Sequence, residues 1–440
     1  LFLSDSLTNI VANLGTDRDK LAAGRFVQRV LTQQEIDDLY TSDWIAGTIV
    51  DAVPDDETRT WRRWQAGQRQ IGPLESAEKA LGVRWKVRKA RKLARKDGGS
   101  AIFLGTGDAD PAKELSIDRL ARGGLRYLHV FSRQEATTGP LVGDVLSPYF
   151  GEPEWYEIGG NNGQPVRVHP SRMVRFIGEE AIERTDIGGW GRTVLQRVYD
   201  TVLQAATATS SIASMTTEAK VDVFGVENLS EYAKDPNYQA KILARFALAA
   251  RSKGVNGSLL RDLKEVWEQK QLNFAGLPEI ARLFLDLCAG AGKMPLSRLF
   301  RRAPSGLNSG SGGDTETRAW YDEVQVGRET ELEPAMARLD EALIRSALGS
   351  RPAAVHFNWE PLWQLTDAEK AEIGLKKAQA TQIYAQGAFL PPSALRAGVR
   401  NQLIEDGTYP GLEAAVEAAG NEAPAPVIVK VATARPAQTE

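Results

Sequence analysis

The residues of this chain that could do chemistry are few and scattered. The three histidines, His129, His169 and His356, stand far apart, outside any HExxH pattern and without a cysteine pair, so no metal site is expected of them. The one cysteine, Cys288, follows the apolar run Ile280–Leu287 and reads as a small core residue rather than a nucleophile. Alone, it builds no internal disulfide framework and suits a reducing compartment. Two acidic pairs, Asp108 with Asp110 and Asp314 with Glu316, have the residue types of a metal-dependent or acid–base hydrolase. The first pair sits in a glycine-containing turn, where aspartates more often hold the turn itself. Gly188-Gly189-Trp190-Gly191 lacks the glycine spacing of a dinucleotide fingerprint, and no Walker motif is present. These residues predict no catalytic, cofactor-binding or metal-binding set.

Two further segments invite a mechanical reading. Gly306, Leu307, Asn308, Ser309, Gly310, Ser311, Gly312 and Gly313 form a glycine- and serine-rich stretch between helical patterns, which predicts a mobile loop on a rigid support. Arg84 to Lys96 is strongly basic, with Val83, Val87, Ala90 and Ala94 as a thin apolar line. That is a helix with a solvated or ion-paired face, or one that meets nucleic-acid phosphate.

With 440 residues, 42% hydrophobic and 25% charged, the chain can bury a sizeable core and splits into more than one region. A formal net charge of -3 is not that of a basic nucleic-acid binder, although it permits a local patch. No apolar run has transmembrane length and no secretory leader is seen, so no membrane partner is expected.

The elements that must position these residues alternate in type. Thr32 with Glu35 predicts a capped helix, and an apolar stripe from Trp44 ends at Pro54. Ala101–Leu104 reads as a buried strand. Leu128–Phe131, Trp155–Ile158, Val166–Val168 and Val174–Ile177 read as one strand-rich region with a hairpin at Gly159–Gly163. Helices are expected over Val194–Met215, Tyr238–Lys253 and from Pro278, and a strand over Lys220–Val226. Glu316–Leu348 reads as a long helix kinked near Pro334, followed by a strand at Val355–Trp359. Thr366 with Glu369 caps another helix, Ser393–Leu403 forms a short one, and the tail beyond Gly420 is alanine- and proline-rich.

Several blocks in order resemble the tailed-bacteriophage portal family. They include Asp5–Asn9 with Ala12–Lys20, Thr58–Trp64, His169–Arg172, Gly254–Ser258, Asn273–Pro278, Pro304–Asn308 and Phe357–Trp363. The resemblance implies an α+β portal fold with wing, two-helix stem, clip and C-terminal helical crown. Its divisions would be arm and wing at 1–190, first stem helix at 191–217 and clip at 218–275. The second stem helix would lie at 276–300, tunnel loop and kinked wing helix at 301–361, and crown with tail at 362–440. It further implies a dodecameric homo-oligomer at one capsid vertex, passing double-stranded DNA during packaging and ejection, with no cofactor and no enzymatic activity. Major capsid protein, terminase and head–tail adaptor would be its partners, and its location would be the virion, assembled in the bacterial cytoplasm. Gly306–Gly313 would be the tunnel loop. Arg88, Arg91, Arg298, Arg301 and Arg302 would be candidate DNA or intersubunit contacts. The competing readings are a phage DNA-processing nuclease or hydrolase, and a smaller adaptor ring.

Overall fold

The computed structural model describes residues 29–108, 110–159, 164–180, 188–217, 220–225, 266–271, 276–300, 309–363, 367–387 and 389–405, with 236, 237, 240, 241 and 244. It divides into two units, Leu1–Leu362 and Trp363–Glu440.

In the first unit, α1 (Gln33–Ser42) begins at the expected capping box. Thr32 Oγ1 accepts from Glu35 N at 3.3 Å, and Glu35 Oε2 accepts from Thr32 N at 2.8 Å. α2 (Trp44–Glu57) corrects the expected stop, because it runs through Pro54. A proline inside a helix orphans the carbonyl one turn back. Here Arg95 replaces the missing donor, with Nε donating to Val50 O at 3.1 Å and Nη2 to Ile49 O at 2.9 Å. β1 (Arg62–Gln65) follows, then α3 (Gln68–Leu81) and the basic α4 (Val83–Asp97), which meet at the left-handed Gly82.

β2 (Gly99–Gly105) is the central strand of an antiparallel sheet in the order β3-β2-β7, with β3 at Tyr127–Ser132 and β7 at Met173–Ile177. The two-residue period of the strand sorts its side chains. Ile102 and Leu104 join Leu128, Val174, Phe176 and the apolar line of α4 in one core, while Ala101 faces Tyr156, Val168, Met173 and Trp190 in another. β4 (Ala136–Thr138), β5 (Tyr156–Gly159) and β6 (Pro165–Val168) form a second sheet in that order. The strand-rich region expected over these segments is therefore divided between two sheets, with Val174–Ile177 beside β2 and apart from β5 and β6. A 3₁₀ turn at Pro170–Arg172 redirects the chain after β6, and β7 buries Val174 and Phe176 beside β2.

α5 (Leu195–Thr217) packs on α6 (Leu277–Ala291), and antiparallel β8 (Lys220–Gly225) and β9 (Val266–Gln271) fall between them in sequence. Pro278 lies in the first turn of α6, where a missing N–H is harmless. Cys288 is buried in this second helical core and donates from Sγ to Thr201 O at 3.6 Å, the core role its neighbours implied. Burial raises its thiol pKa, which keeps it inert.

After α7 (Leu296–Phe300), α8 spans Ser309–Gly327. Ser309–Gly313 are thus helical, which corrects the loop expectation for those residues; Gly306, Leu307 and Asn308 lie outside the described residues. Glycine costs a helix about 1 kcal/mol each relative to alanine, but extension from a formed helix is far easier than nucleation. Trp320 and Val324 anchor α8 in the core and supply that formed helix. A π-helical turn, Arg328–Leu332, joins α8 to α9 (Glu333–Leu348), and Pro334 lies in the first turn of α9, where its missing N–H is harmless. Arg328 is fully buried there. Its guanidinium donates to Glu57 O at 2.8 Å, Thr60 O at 2.7 Å and Glu360 O at 3.0 Å. It thereby ties α2, β1 and the strand β10 (His356–Trp359), which pairs with β1, to the π turn.

The second unit contains α10 (Asp367–Gln386) and α11 (Pro392–Glu405), two of the expected helices. Among the described residues, no helix is long and apolar enough to cross a membrane. Most of Tyr238–Lys253, the Gly254–Ser258 block, Thr366 and the tail beyond Gly420 lie outside the described residues.

Candidate functional site

A cleft of about 940 Å³ lies in the first unit, walled by α2, α4, β7, α5, the end of α6, α8 and α9. Its floor is an ion-pair network. Arg91, fully buried on α4, binds Glu57 through Nε at 2.9 Å and Nη2 at 2.6 Å, and reaches Glu331 at 2.9 Å. Burial alone would pull this guanidinium down, but the Glu57 and Glu331 charges outweigh it and hold Arg91 above its ordinary range. Burial lowers the neighbouring Arg95 to about 10, helped by the Arg91 charge.

The rest of the basic helix is spent in the same way. Arg88 pairs with Asp55 at 2.6 Å, and Lys92 reaches Asp51 at 2.8 Å and Asp55 at 2.9 Å. These two cations outweigh burial and keep the Asp55 carboxyl below the usual carboxylate range. Arg298 clamps Asp56 with Nε at 2.7 Å and Nη2 at 3.2 Å, and Trp320 Nε1 donates to the same carboxylate at 2.8 Å. Arg88, Arg91 and Arg298, the candidate DNA or intersubunit contacts, each make an ion pair within the chain. Arg301 and Arg302 lie outside the described residues.

The cleft's exposed cations come from elsewhere. Arg197, on the first turn of α5, pairs with Glu179 at 3.1 Å. Lys293 follows the C-terminus of α6 with φ of 52°, the only non-glycine among the described residues with positive φ. Helices usually place glycine at such a left-handed position, because a side chain there is strained. The strain directs attention to Lys293, which lines the cleft. Glu179, Glu180 and Glu323 line it too, so the site offers two cations beside several carboxylates. Such a set can bind a phosphorylated ligand and move a proton. Sequence reasoning missed Lys293 and Arg197; the one signal was a lysine directly after Gly290-Ala291-Gly292, where a helix fades.

The acidic pairs are held separately. Asp108 receives Arg172 Nη2 at 2.6 Å, Asp110 Oδ1 accepts from Ala112 N at 3.1 Å in a local turn, and Glu316 Oε2 accepts from Ser297 Oγ at 2.9 Å. His169 contacts Ser171 Oγ at 2.8 Å through Nδ1 and caps the 3₁₀ turn, with its pKa lowered by burial. Among the described residues, no group of three or more His, Cys, Asp or Glu could hold a metal ion.

A family profile described as phage portal protein matches residues 34–383. The chain belongs to this family. Its α+β fold is that of the portal superfamily. A chain in the virion of a native gene transfer agent particle aligns over 89% of this chain and 98% of its own, at 13% identity and TM-score 0.49. Two relatives qualify the functional reading. Anti-CBASS protein Acb1 of Caulobacter sp. (strain RHG1) is 42% identical over 439 residues, covering 96% of this chain and 70% of the relative. Anti-CBASS protein Acb1 of Sphingomonas paeninsulae is 34% identical over 420 residues, covering 93% of this chain and 66% of the relative.

Those relatives correct the conclusion drawn from the resemblance. Matches over 96% and 93% of this chain carry the name anti-CBASS protein, so the reading as a portal conduit for DNA packaging and ejection is overturned. With it fall the non-enzymatic assignment and the dodecamer with DNA, major capsid protein, terminase and head–tail adaptor as partners. The competing hydrolase reading fits these matches better.

Proposed function

We propose that this chain is a counter-defence enzyme that binds and cleaves a phosphodiester-linked nucleotide, opposing the bacterial system for which its relatives are named. The observation that carries the reading is the 42% identity to anti-CBASS protein Acb1 over 96% of the chain. The cleft supports it, since about 940 Å³ lies within the roughly 300–1,000 Å³ range of small-ligand pockets. Cleavage requires charge neutralisation at the phosphoryl oxygens, a base to take a proton from water, and an acid for the leaving oxygen. Lys293 and Arg197 are assigned to the phosphate. Glu323 and Glu180 are assigned to proton transfer, with water oxygen bonding to phosphorus as the ester P–O bond breaks.

The test compares wild type with Lys293→Gly and Glu323→Gln in turnover of a labelled cyclic dinucleotide, with melting temperature as the folding control. Glycine fits the left-handed position, so Lys293→Gly removes the charge without adding strain. Turnover should fall at least about tenfold in each variant, a loss of about 1.4 kcal/mol in transition-state stabilisation. Unchanged turnover in both would remove the cleft from the reaction.

Within the portal-type fold, α5 and α6 are proposed as the stem, β8–β9 as the clip and α10–α11 as the crown, supported by the packing of α5 on α6. An experimental structure with α5 and α6 apart would contradict it. Location in the virion remains a proposal, tested by probing purified particles for the chain.

A further inference from the structure

A second concavity, of about 240 Å³, lies between the two sheets and shares no lining residue with the cleft. Its floor is an aromatic ladder on β3. Tyr127, His129 and Phe131 alternate along the strand and so point to one face, with ring centroids 4.9 Å and 6.3 Å apart. Phe103 of β2, in register with His129, extends the ladder and lies 6.3 Å from Tyr127. Tyr127 is 40% exposed despite its size. Opposite Tyr127 stands Gly105, where a Cβ would come within 2.1 Å of the phenol ring, so the ring lies flat over bare backbone. This fixes the ring's orientation while leaving part of it open.

Charge is placed at the edge of these rings. Asp108 lines the groove and is held by buried Arg172, which also donates to Lys113 O at 2.9 Å and Thr106 Oγ1 at 3.1 Å. The Arg172 hydrogen bond lowers the Asp108 carboxyl pKa, which keeps it an acceptor. At the rim, the Arg126 guanidinium lies over Gly107, where a Cβ would fall 2.6 Å from Nη1. The groove thus offers ring faces for stacking, a carboxylate for an N–H donor and a cation beside it.

From this arrangement we propose that the groove binds a nucleotide unit of a single-stranded nucleic acid. The base stacks on Tyr127 and His129, an exocyclic amine donates to Asp108, and a phosphate pairs with Arg126. Base stacking on aromatic side chains needs only their π-faces, and a carboxylate accepting an exocyclic amine is an established base contact. The volume lies below the roughly 300–1,000 Å³ of pockets for larger ligands, and so suits one ring system at a time. This inference stands whether or not the cleft hydrolyses nucleotides.

The test titrates the intact chain with short fluorescent oligonucleotides of adenine, cytosine or thymine, followed by anisotropy at fixed salt. Adenine and cytosine strands should bind more tightly than thymine, which has no exocyclic amine. Tyr127→Ala and His129→Ala, both at exposed positions, should each weaken binding about tenfold at an unchanged melting temperature. Asp108→Ala, which removes the acceptor, should erase the preference for amine-bearing bases, and Arg126→Ala should flatten the salt dependence. Equal binding by wild type and the Tyr127→Ala/His129→Ala double variant overturns the proposal. So does an absence of saturable binding.

Discussion

Replacing Arg328 with lysine tests whether the π turn is held by one guanidinium. The wild-type side chain serves Glu57 O, Thr60 O and Glu360 O at 3.0 Å or closer, with longer bonds to Thr60 Oγ1 at 3.1 Å and Gln325 Oε1 at 3.2 Å. These acceptors spread around the planar fork, and a lysine ammonium is a compact donor that cannot reach all sides. Burial already lowers the Arg328 pKa to about 10, and a lysine placed there would give up its proton more readily. If two buried carbonyls lose their partners at about 1–3 kcal/mol each, the fold loses about 2–6 kcal/mol. Denaturant unfolding followed by tryptophan fluorescence reads this directly, since Trp359 lies under the guanidinium at 5.2 Å. The midpoint should fall with an unchanged slope. Because Gly327, Glu331 and Pro334 line the cleft, ligand binding there should weaken as well. A lysine variant within about 1 kcal/mol of wild type would refute the reasoning.

Arg95→Met should destabilise by about 1–3 kcal/mol by leaving Val50 O without its donor, and adding Pro54→Ala should recover part of the loss by restoring a helical N–H. Chemical denaturation of both variants checks this; no recovery would mean Arg95 acts otherwise. Asp340, buried beside Arg62 at 2.6 Å, is pushed up by burial to about 6 from 3.8. A raised folded-state pKa contributes stability below 3.8 that is lost as pH rises through about 6. Wild type should therefore gain stability relative to Asp340→Asn as pH falls from about 7 to about 4, measured by paired denaturation curves. A pH-independent difference would contradict that shift.

Local periodicity made the fold's pieces legible, but the distant partners that modify them were not. The apolar run Ala101–Leu104 and the Thr32–Glu35 box depend on neighbours in sequence, and both formed as expected. Pro54 ought to have ended α2, and nothing near it announces that Arg95, on another helix, takes over its hydrogen bond. Glycine and serine at 309–313 signal freedom, yet a helix anchored at Trp320 extends through them. The basic run in α4 left a solvated, an ion-paired and a phosphate-binding face all open, because its countercharges, Asp51, Asp55 and Glu57, sit on α2. The cleft's exposed cations, Arg197 and Lys293, come from separate elements that only tertiary packing brings together. The sequence blocks identified the fold family, but a fold hosts more than one activity, and the packing role inferred from it did not follow.

A side-by-side turnover measurement tests the cleavage of nucleotides by this chain most directly. The purified 440-residue chain and the longer Caulobacter relative, 70% of which it covers, would each be incubated with labelled cyclic and linear oligonucleotides and the products resolved by chromatography. Both should cleave, and this chain's Lys293→Gly variant should lose activity. Cleavage by the relative alone would contradict this, placing the activity in the part of that protein beyond the match.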